Sequence, residues 1–447
     1  MAPKLAAALL HLHHSDGLTA DAHDETLRTV YNVVHTAVGA SGHPIVGGIV
    51  RTHAAGLPAT GTTVPVLGRL DRLDTYAAAL ATATAAHLDD FDDTHLATVI
   101  HPGAASLAAG LSAGLPYEVD GPTFLRAVGL GVETQLRLGL ALTEDHYDAG
   151  WHITGTCGVL GAAVTAGLLA GLDHEQLTRA LGLAVSQTVG HREGFGSAVK
   201  PVNAGKAAAN GMLAVLLASR GMTASPRALD GDNGFLAVLS TKADAAIVLR
   251  ELGTHWHLLD NTYKPYPCGI VSHPAIDAAV DLHPRIAGRE LVSAELRCHP
   301  LVPELTGNVD PVNGLQARFS TVHGVATGLL DGAVGLPQYT DERSRDGDVT
   351  ALRRVITVVA DPRCRRDEAT LTAVLADGHR CTSHVEHARG SLARPLTGDE
   401  LVHKGLGLAR PVLGARAEDL GAAVHDLPRA QSLQPLVDAA TPEPNHS

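Results

Sequence analysis

From the first residue to about position 260, apolar residues recur at helical spacing, in Ala-, Leu- and Val-rich segments broken by Gly, Pro and Asp. Leu177, Ala180, Leu181, Ala184 and Val185 share one helical face. Asp173 stands three residues before Gln176, the pattern of a capping box, and Leu172 and Leu177 are placed as a hydrophobic staple across that start. This spacing predicts a helix that runs from 174 to near Gly190. Met1–His14 reads as a first helix: its apolar stretch is too short for the core of a signal segment and runs into His11, His13 and His14. Between about 263 and 395 the period changes to two. Val292, Ala294, Leu296 and Cys298 alternate with polar neighbours, as do Val355, Thr357 and Val359. Ala369, Leu371, Ala373 and Leu375 lead to Asp377-Gly378, a hairpin signal, and Arg380 to Glu386 continues as a strand. Helical stretches at 274–282 and 320–330 make this section α+β. Helical spacing returns at 398–413 and 417–424, which are expected to pack back on the first part, and 441–447 is expected to fray. The chain is predicted to be mainly α, with a large helical domain from 1–262 and 396–447 and a smaller α+β domain from 263–395.

Hydrophobic residues make up 45% and charged residues 18% of 447, enough to build two cores. Aromatic residues are only 3%, which leaves few rings to stack on bases. The net charge of −13 opposes a phosphate backbone or an anionic membrane. No nucleic-acid or membrane partner is therefore expected, and no apolar run reaches the length of a membrane span without Gly, Pro or charge. The five cysteines are odd in number and widely spaced, with no CxxC pair. That argues against a disulfide framework or a thiolate zinc site and suits a reducing, cytoplasmic setting.

Candidate chemistry gathers in five clusters. They are Asp92-Asp93-Thr94-His95 with His101-Pro102-Gly103; Gly150-Trp151-His152 with Gly155-Thr156; Lys200-Pro201 with Asn203-Ala204-Gly205; Lys264-Pro265-Tyr266-Pro267-Cys268 with His273-Pro274; and Phe319-Ser320-Thr321-Val322-His323. Imidazole titrates near neutrality and exchanges protons readily. A lysine holds a carboxylate and stabilises the enolate-like charge left when an α-proton departs. Lys200 precedes Pro201, a favoured first-turn residue, so it is expected at a helix N-terminus, where anions bind. Blander readings compete. With 26 histidines, any one is more often structural, and Asp92 and Asp93 serve equally well as helix caps. Lys206 is expected on a solvated helix face. Gly205-Lys206 lacks the rest of a phosphate loop, and Gly129-Leu130-Gly131 lacks its third glycine. Cys268 and His273 have no second pair for a metal.

Taken together, these clusters and Leu329-Leu330-Asp331-Gly332 resemble the MmgE/PrpD family over nearly the whole chain. That family holds dehydratases, decarboxylases and epimerases of small carboxylic acids. The resemblance implies a helical domain made from both chain ends, an inserted α+β lid, a homodimer, and no metal or organic cofactor. It places His101, His152, Lys200 and His273 as catalytic groups, and Asp93, Lys264, His323 and His191 around the substrate. His323 stands where several relatives carry a tyrosine, and His191 lies in a variable loop suited to tuning substrate choice.

The reaction expected first is dehydration of a small hydroxylated di- or tricarboxylate. His152 or His273 takes the α-proton, the other histidine or His323 protonates the hydroxyl, Lys200 and Lys264 hold carboxylates, and Asp93 orients His101 or keeps it cationic. Decarboxylation and epimerisation use the same groups. A non-catalytic helical binding protein is the contrasting reading, and it predicts that these lysines and histidines are scattered over the surface.

Overall fold

The computed structural model describes residues 1–55, 62–286 and 288–444. It is mainly α. Four helices rich in small residues, Thr75–Leu88, Pro102–Gly114, Ile153–Leu169 and Val199–Ser219, pack on one another at the centre of the larger apolar core. Every residue of Pro102–Gly114 and of Ile153–Leu169 is buried. A helix apolar all round is the signature of such a central position. Small side chains let these backbones approach closely: a Cβ on Gly211 would lie 2.6 Å from that of Ala162 and 2.7 Å from the amide nitrogen of Ala163. Residues from Leu396 to Ala440 belong to this same core.

Two buried polar ties organise the helices. Glu133 and Arg137, one turn apart on the helix Gly121–Asp148, pair at 2.6 Å. The Arg137 guanidinium donates to the carbonyls of Ile247, Arg250 and His255, while Glu133 accepts from the amides of His257 and Leu258. This anchors the irregular 245–260 segment. The second tie is Lys404, on the helix Gly398–Leu413, which packs along Ala20–Ala40. Its ammonium reaches the Asn32 side-chain oxygen at 2.7 Å and the Phe91 carbonyl at 2.6 Å.

A second apolar core runs from Val271 to Cys381. Here a four-stranded sheet has the order Ile356–Ala360, Leu291–Cys298, Ala369–Leu375, Arg380–Val385; the first pair is parallel and the others antiparallel. Alternate residues of Ala369–Leu375 are buried, as the period-two pattern predicts. The helices His273–Ile286 and Thr321–Asp331 pack together, and both contribute to this core. Gly378 makes the expected hairpin turn with φ of +84°.

The helix that begins after Asp173 has the predicted capping box but stops at Val185, not near Gly190. Ser186, Gln187 and Thr188 offer no apolar side chain to continue its buried face. Of the tail expected to fray, 445–447 lie outside the described residues. All five cysteines are free thiols, and among the described residues no single helix is long and apolar enough to cross a membrane.

Candidate active site

A short antiparallel pair, Asp93–His95 with Asn261–Tyr263, joins two distant stretches of chain; Asp93 faces Tyr263 in its register. It sets the acidic run 89–93 beside Lys264. Asp90 has φ of +50°, a left-handed conformation unusual for a residue with a Cβ. That turn points its carboxylate at two ammonium groups. Its Oδ1 lies 2.7 Å from Lys200 Nζ and 2.6 Å from Lys264 Nζ. Lys264 also donates to the carbonyls of Asp90 and Cys268, both at 3.1 Å, so all three of its N–H groups are used. Lys200 has one acceptor, and its ammonium faces the rings of Phe195 and Phe319 at 5.6 and 5.2 Å. It keeps donors in hand.

The histidines come next. Asp92 Oδ2 accepts from His87 Nδ1 at 2.7 Å, and its Oδ1 from His101 Nδ1 at 3.0 Å. His101 Nε2 stands 3.7 Å from Asp90 Oδ1. His152 sits 5.9 Å from the His87 ring and edge-on to Phe195 at 5.0 Å, and its Nδ1 lies 3.1 Å from the side-chain nitrogen of Asn203. Asp90, His101, His152, Lys200 and Lys264 line a small cavity of about 50 Å³. A larger hollow of about 650 Å³ lies behind a wall the two share, made of Val99, Tyr147 and Leu305. His101 and His152 are the capping residues of the helices Pro102–Gly114 and Ile153–Leu169, and Lys200 is in the first turn of Val199–Ser219. Three helix N-termini thus converge on one small space, which favours an anion there.

Burial and charge set the protonation of each group. Burial pulls His101 down to about 3, helped by the nearby ammonium groups, although Asp92 opposes it. Burial likewise holds His152 well below its usual value, with His87 and Lys200 adding to the effect. Both imidazoles are neutral near pH 7. Burial works to raise Asp90, but Lys200 and Lys264 overcome it and hold the carboxyl well below the ordinary range. Burial works to raise Asp92 as well, but the charge that His87 and His101 take on in acid, and the hydrogen bonds they donate, hold it ionised. The Lys200 ammonium is lowered by burial, with Asp90 opposing.

His87, Asp90, Asp92 and His101 bring donor atoms within 4.8 Å of one another, close enough for one metal ion. The charges already balance without one: two carboxylates meet two ammonium groups. A dication would lie beside both lysines, which opposes its binding.

Several expectations need correction. Asp93 does not orient His101. Neighbouring residues on an extended chain point to opposite sides, and Asp93 turns away from the cavity to accept from the Gly103 amide and from Asn261 at 2.7 Å. Asp92 takes the place expected of it, and His101 is neutral rather than cationic because burial outweighs the carboxylate. His323 does not face the cavity: its Nε2 is 2.7 Å from the Gln338 carbonyl. Phe319 lines the cavity instead, just before the Ser320 cap turns the chain into a helix. His191 is exposed, with its ring against Trp151. His273 is buried behind Lys264, 3.4 Å from the Cys268 carbonyl, and is not among the lining groups. Residues missed from sequence are Asp90, His87 and Phe195, and Asn203 is named in its cluster without a role. That role was discoverable, since Asn203 lies one helical turn beyond Lys200 on the same face. His87 carried no local signal.

Known proteins resemble this chain along most of its length. The model of the MmgE/PrpD N-terminal domain matches residues 5–248, and that of the MmgE/PrpD C-terminal domain matches 266–427. A cis-aconitate decarboxylase of Aspergillus terreus is 26% identical over 405 residues, covering 83% of this chain and 82% of the relative. A cis-aconitate decarboxylase of Mus musculus is 28% identical over 369 residues, covering 77% and 74%. A 2-methylcitrate dehydratase of Cupriavidus necator is 28% identical over 243 residues, covering 49% of each chain. With both family domains matched in order and the buried lysines and histidines drawn into one cavity, the chain belongs to the MmgE/PrpD family and is an enzyme of that family.

Proposed function

We propose that this enzyme is a cofactor-independent lyase that eliminates water from a small hydroxylated di- or tricarboxylate. One observation carries the reading: two buried ammonium groups share a single carboxylate oxygen beside two neutral imidazoles. A substrate carboxylate offers the spare donors of Lys200 an acceptor, and the three helix N-termini add to the pull. A neutral imidazole takes the proton α to a carboxylate. The C–H electron pair becomes the new double bond, the C–O bond breaks, and the leaving hydroxyl takes a proton from the Lys200 ammonium and departs as water. Burial lowers the pKa of Lys200, which makes it a readier acid.

Decarboxylation of an unsaturated tricarboxylate is the second reading. It is favoured by the relatives that align over most of the chain, whose names are cis-aconitate decarboxylases. The apolar walls of Phe195 and Phe319 suit it too, since charge spreads as carbon dioxide leaves. The smaller unit bearing Leu305 and Phe319 acts in either case as a lid between the two ends of the helical domain, the enzyme works as a homodimer, and the site is open to cytoplasmic acids. Purified enzyme incubated with a citrate-type hydroxy acid and with cis-aconitate, followed by mass spectrometry, separates the readings. Loss of water from the first supports elimination. Loss of carbon dioxide from the second, with no change in the first, replaces it. No change in any small carboxylate removes both.

A further inference from the structure

We propose that Asp92 and Asn203 are positioning residues that fix His101 and His152 in opposite tautomers, so that one imidazole presents a bare nitrogen and the other an N–H. The inference rests on the proton-abstraction reading for its chemical purpose, but its geometry stands apart from it.

Asp92 is fully buried and ionised, so it only accepts hydrogen bonds. Its two oxygens lie against His87 Nδ1 at 2.7 Å and His101 Nδ1 at 3.0 Å. Both Nδ1 atoms must therefore donate. A neutral His101 with its proton on Nδ1 has a lone pair on Nε2, the atom on the Asp90 side of the ring. His152 meets the reverse environment. The side-chain nitrogen of Asn203 lies 3.1 Å from its Nδ1, and an amide nitrogen only donates. With the amide in this orientation Nδ1 of His152 accepts, which puts its single proton on Nε2. An anion holds one imidazole and an amide the other, and neutrality of both rings makes the assignment binary.

The consequence is a division of labour. His101 is the group able to take a proton from carbon. His152 donates a hydrogen bond to a substrate oxygen and stabilises the charge that builds there. His87 takes no part in the transfer; it occupies the second oxygen of Asp92 and stops that carboxylate from rotating. The charged and titratable groups facing His101 are Asp92, Asp90, His87, Lys200 and Lys264, and those facing His152 are His87, His101, Lys200 and Asp90.

The test uses full-length enzyme with histidine labelled at both ring nitrogens, read by two-bond nitrogen–proton correlation near pH 7.5. His101→Gln and His152→Gln assign the two signals. The expected result is a proton on Nδ1 of His101 and on Nε2 of His152. Finding His101 protonated on Nε2, or both rings in the same tautomer, overturns the proposal. Asn203→Asp supplies an acceptor in place of a donor and should move the His152 proton to Nδ1; an unmoved pattern also overturns it. Asp92→Asn should lower kcat by about 100-fold or more with little change in KM. If that variant fails to fold, the wild-type spectrum and Asn203→Asp still decide. Because the tautomers are read without substrate, an enzyme with opposed tautomers that acts on no carboxylate sinks the functional reading and leaves this one standing.

Discussion

Asp92 and Asp93 are adjacent residues, both buried, and they belong to two networks that lie back to back across one short strand. On the cavity side, Asp90 and Asp92 are ionised, because Lys200 and Lys264 share the burial with them and two imidazoles donate to Asp92. On the far side, Asp93 accepts from Asn261, which donates also to Thr29; Thr29 shares a hydrogen bond with Tyr263, and Tyr263 donates to Glu25 at 2.6 Å. There burial is met mainly by neutral donors. It pushes Asp93 up to about 7, with the negative charge of Asp92 adding to the rise. Glu25 also rises to about 7 through burial, although Tyr263 and Arg28 oppose it. The difference is one of partners, not of depth. A buried carboxyl keeps its charge where nearby cations and N–H donors outweigh its burial, and takes up a proton where, as with Arg28 at 3.4 Å from Glu25, they do not.

The largest expected effect comes from removing the charge that holds the cavity side together. Asp90→Asn leaves two ammonium groups buried without their anion, which should abolish turnover and cost about 3–5 kcal/mol in chemical denaturation. A variant of near wild-type stability would mean that the lysines are paired elsewhere. His152→Ala should come next, lowering kcat by about 100-fold or more while far-UV circular dichroism stays unchanged; full activity would exclude it from the chemistry.

The two networks should also answer pH with opposite slopes. Asp93 and Glu25 keep their protons to about pH 7 when folded, while the unfolded chain loses them near the ordinary values of about 3.9 and 4.3. The folded state then binds more protons than the unfolded one, so this contribution to stability is present at acid pH and is lost as pH rises from about 4 to about 7. Asp90 and Asp92 contribute stability above their unfolded values that is lost as pH falls below about 4. Asp93→Asn should flatten the loss between about pH 4 and 7 in denaturant melts, without touching the acid limb. An unchanged slope would show that Asp93 is ionised after all. The smallest effect is expected at His191, exposed and outside the cavity: His191→Ala should shift stability by no more than about 0.5 kcal/mol and leave kcat/KM where it was.

What sequence made legible were features with a period or a cap. The capping box at Asp173, the alternation of Ala369–Leu375, the helix Gly398–Leu413 and the place of Lys200 at a helix start all follow from local rules. The site was legible only as a set of residue types. Choosing among Asp90, Asp92 and Asp93 requires the left-handed turn at Asp90, and neighbouring acids differ only in which side of the strand they face. His87 meets Asp92 across the end of a helix, a contact set by tertiary packing. His323 is placed at the site only by the resemblance, where several relatives carry a tyrosine; no local rule shows that it turns from the cavity to the Gln338 carbonyl.

The hydrogen bond from Lys404 to the Phe91 carbonyl joins residues 313 positions apart. The loop that aims Asp90 is therefore held from behind by a helix synthesised long after it. A nascent chain that already contains every cavity-lining side chain still lacks this brace, so a competent site should arise only when the helix Gly398–Leu413 docks. A version ending before Gly398 should keep its central helices and lose turnover, which makes the arrival of this helix a checkpoint on the chemistry.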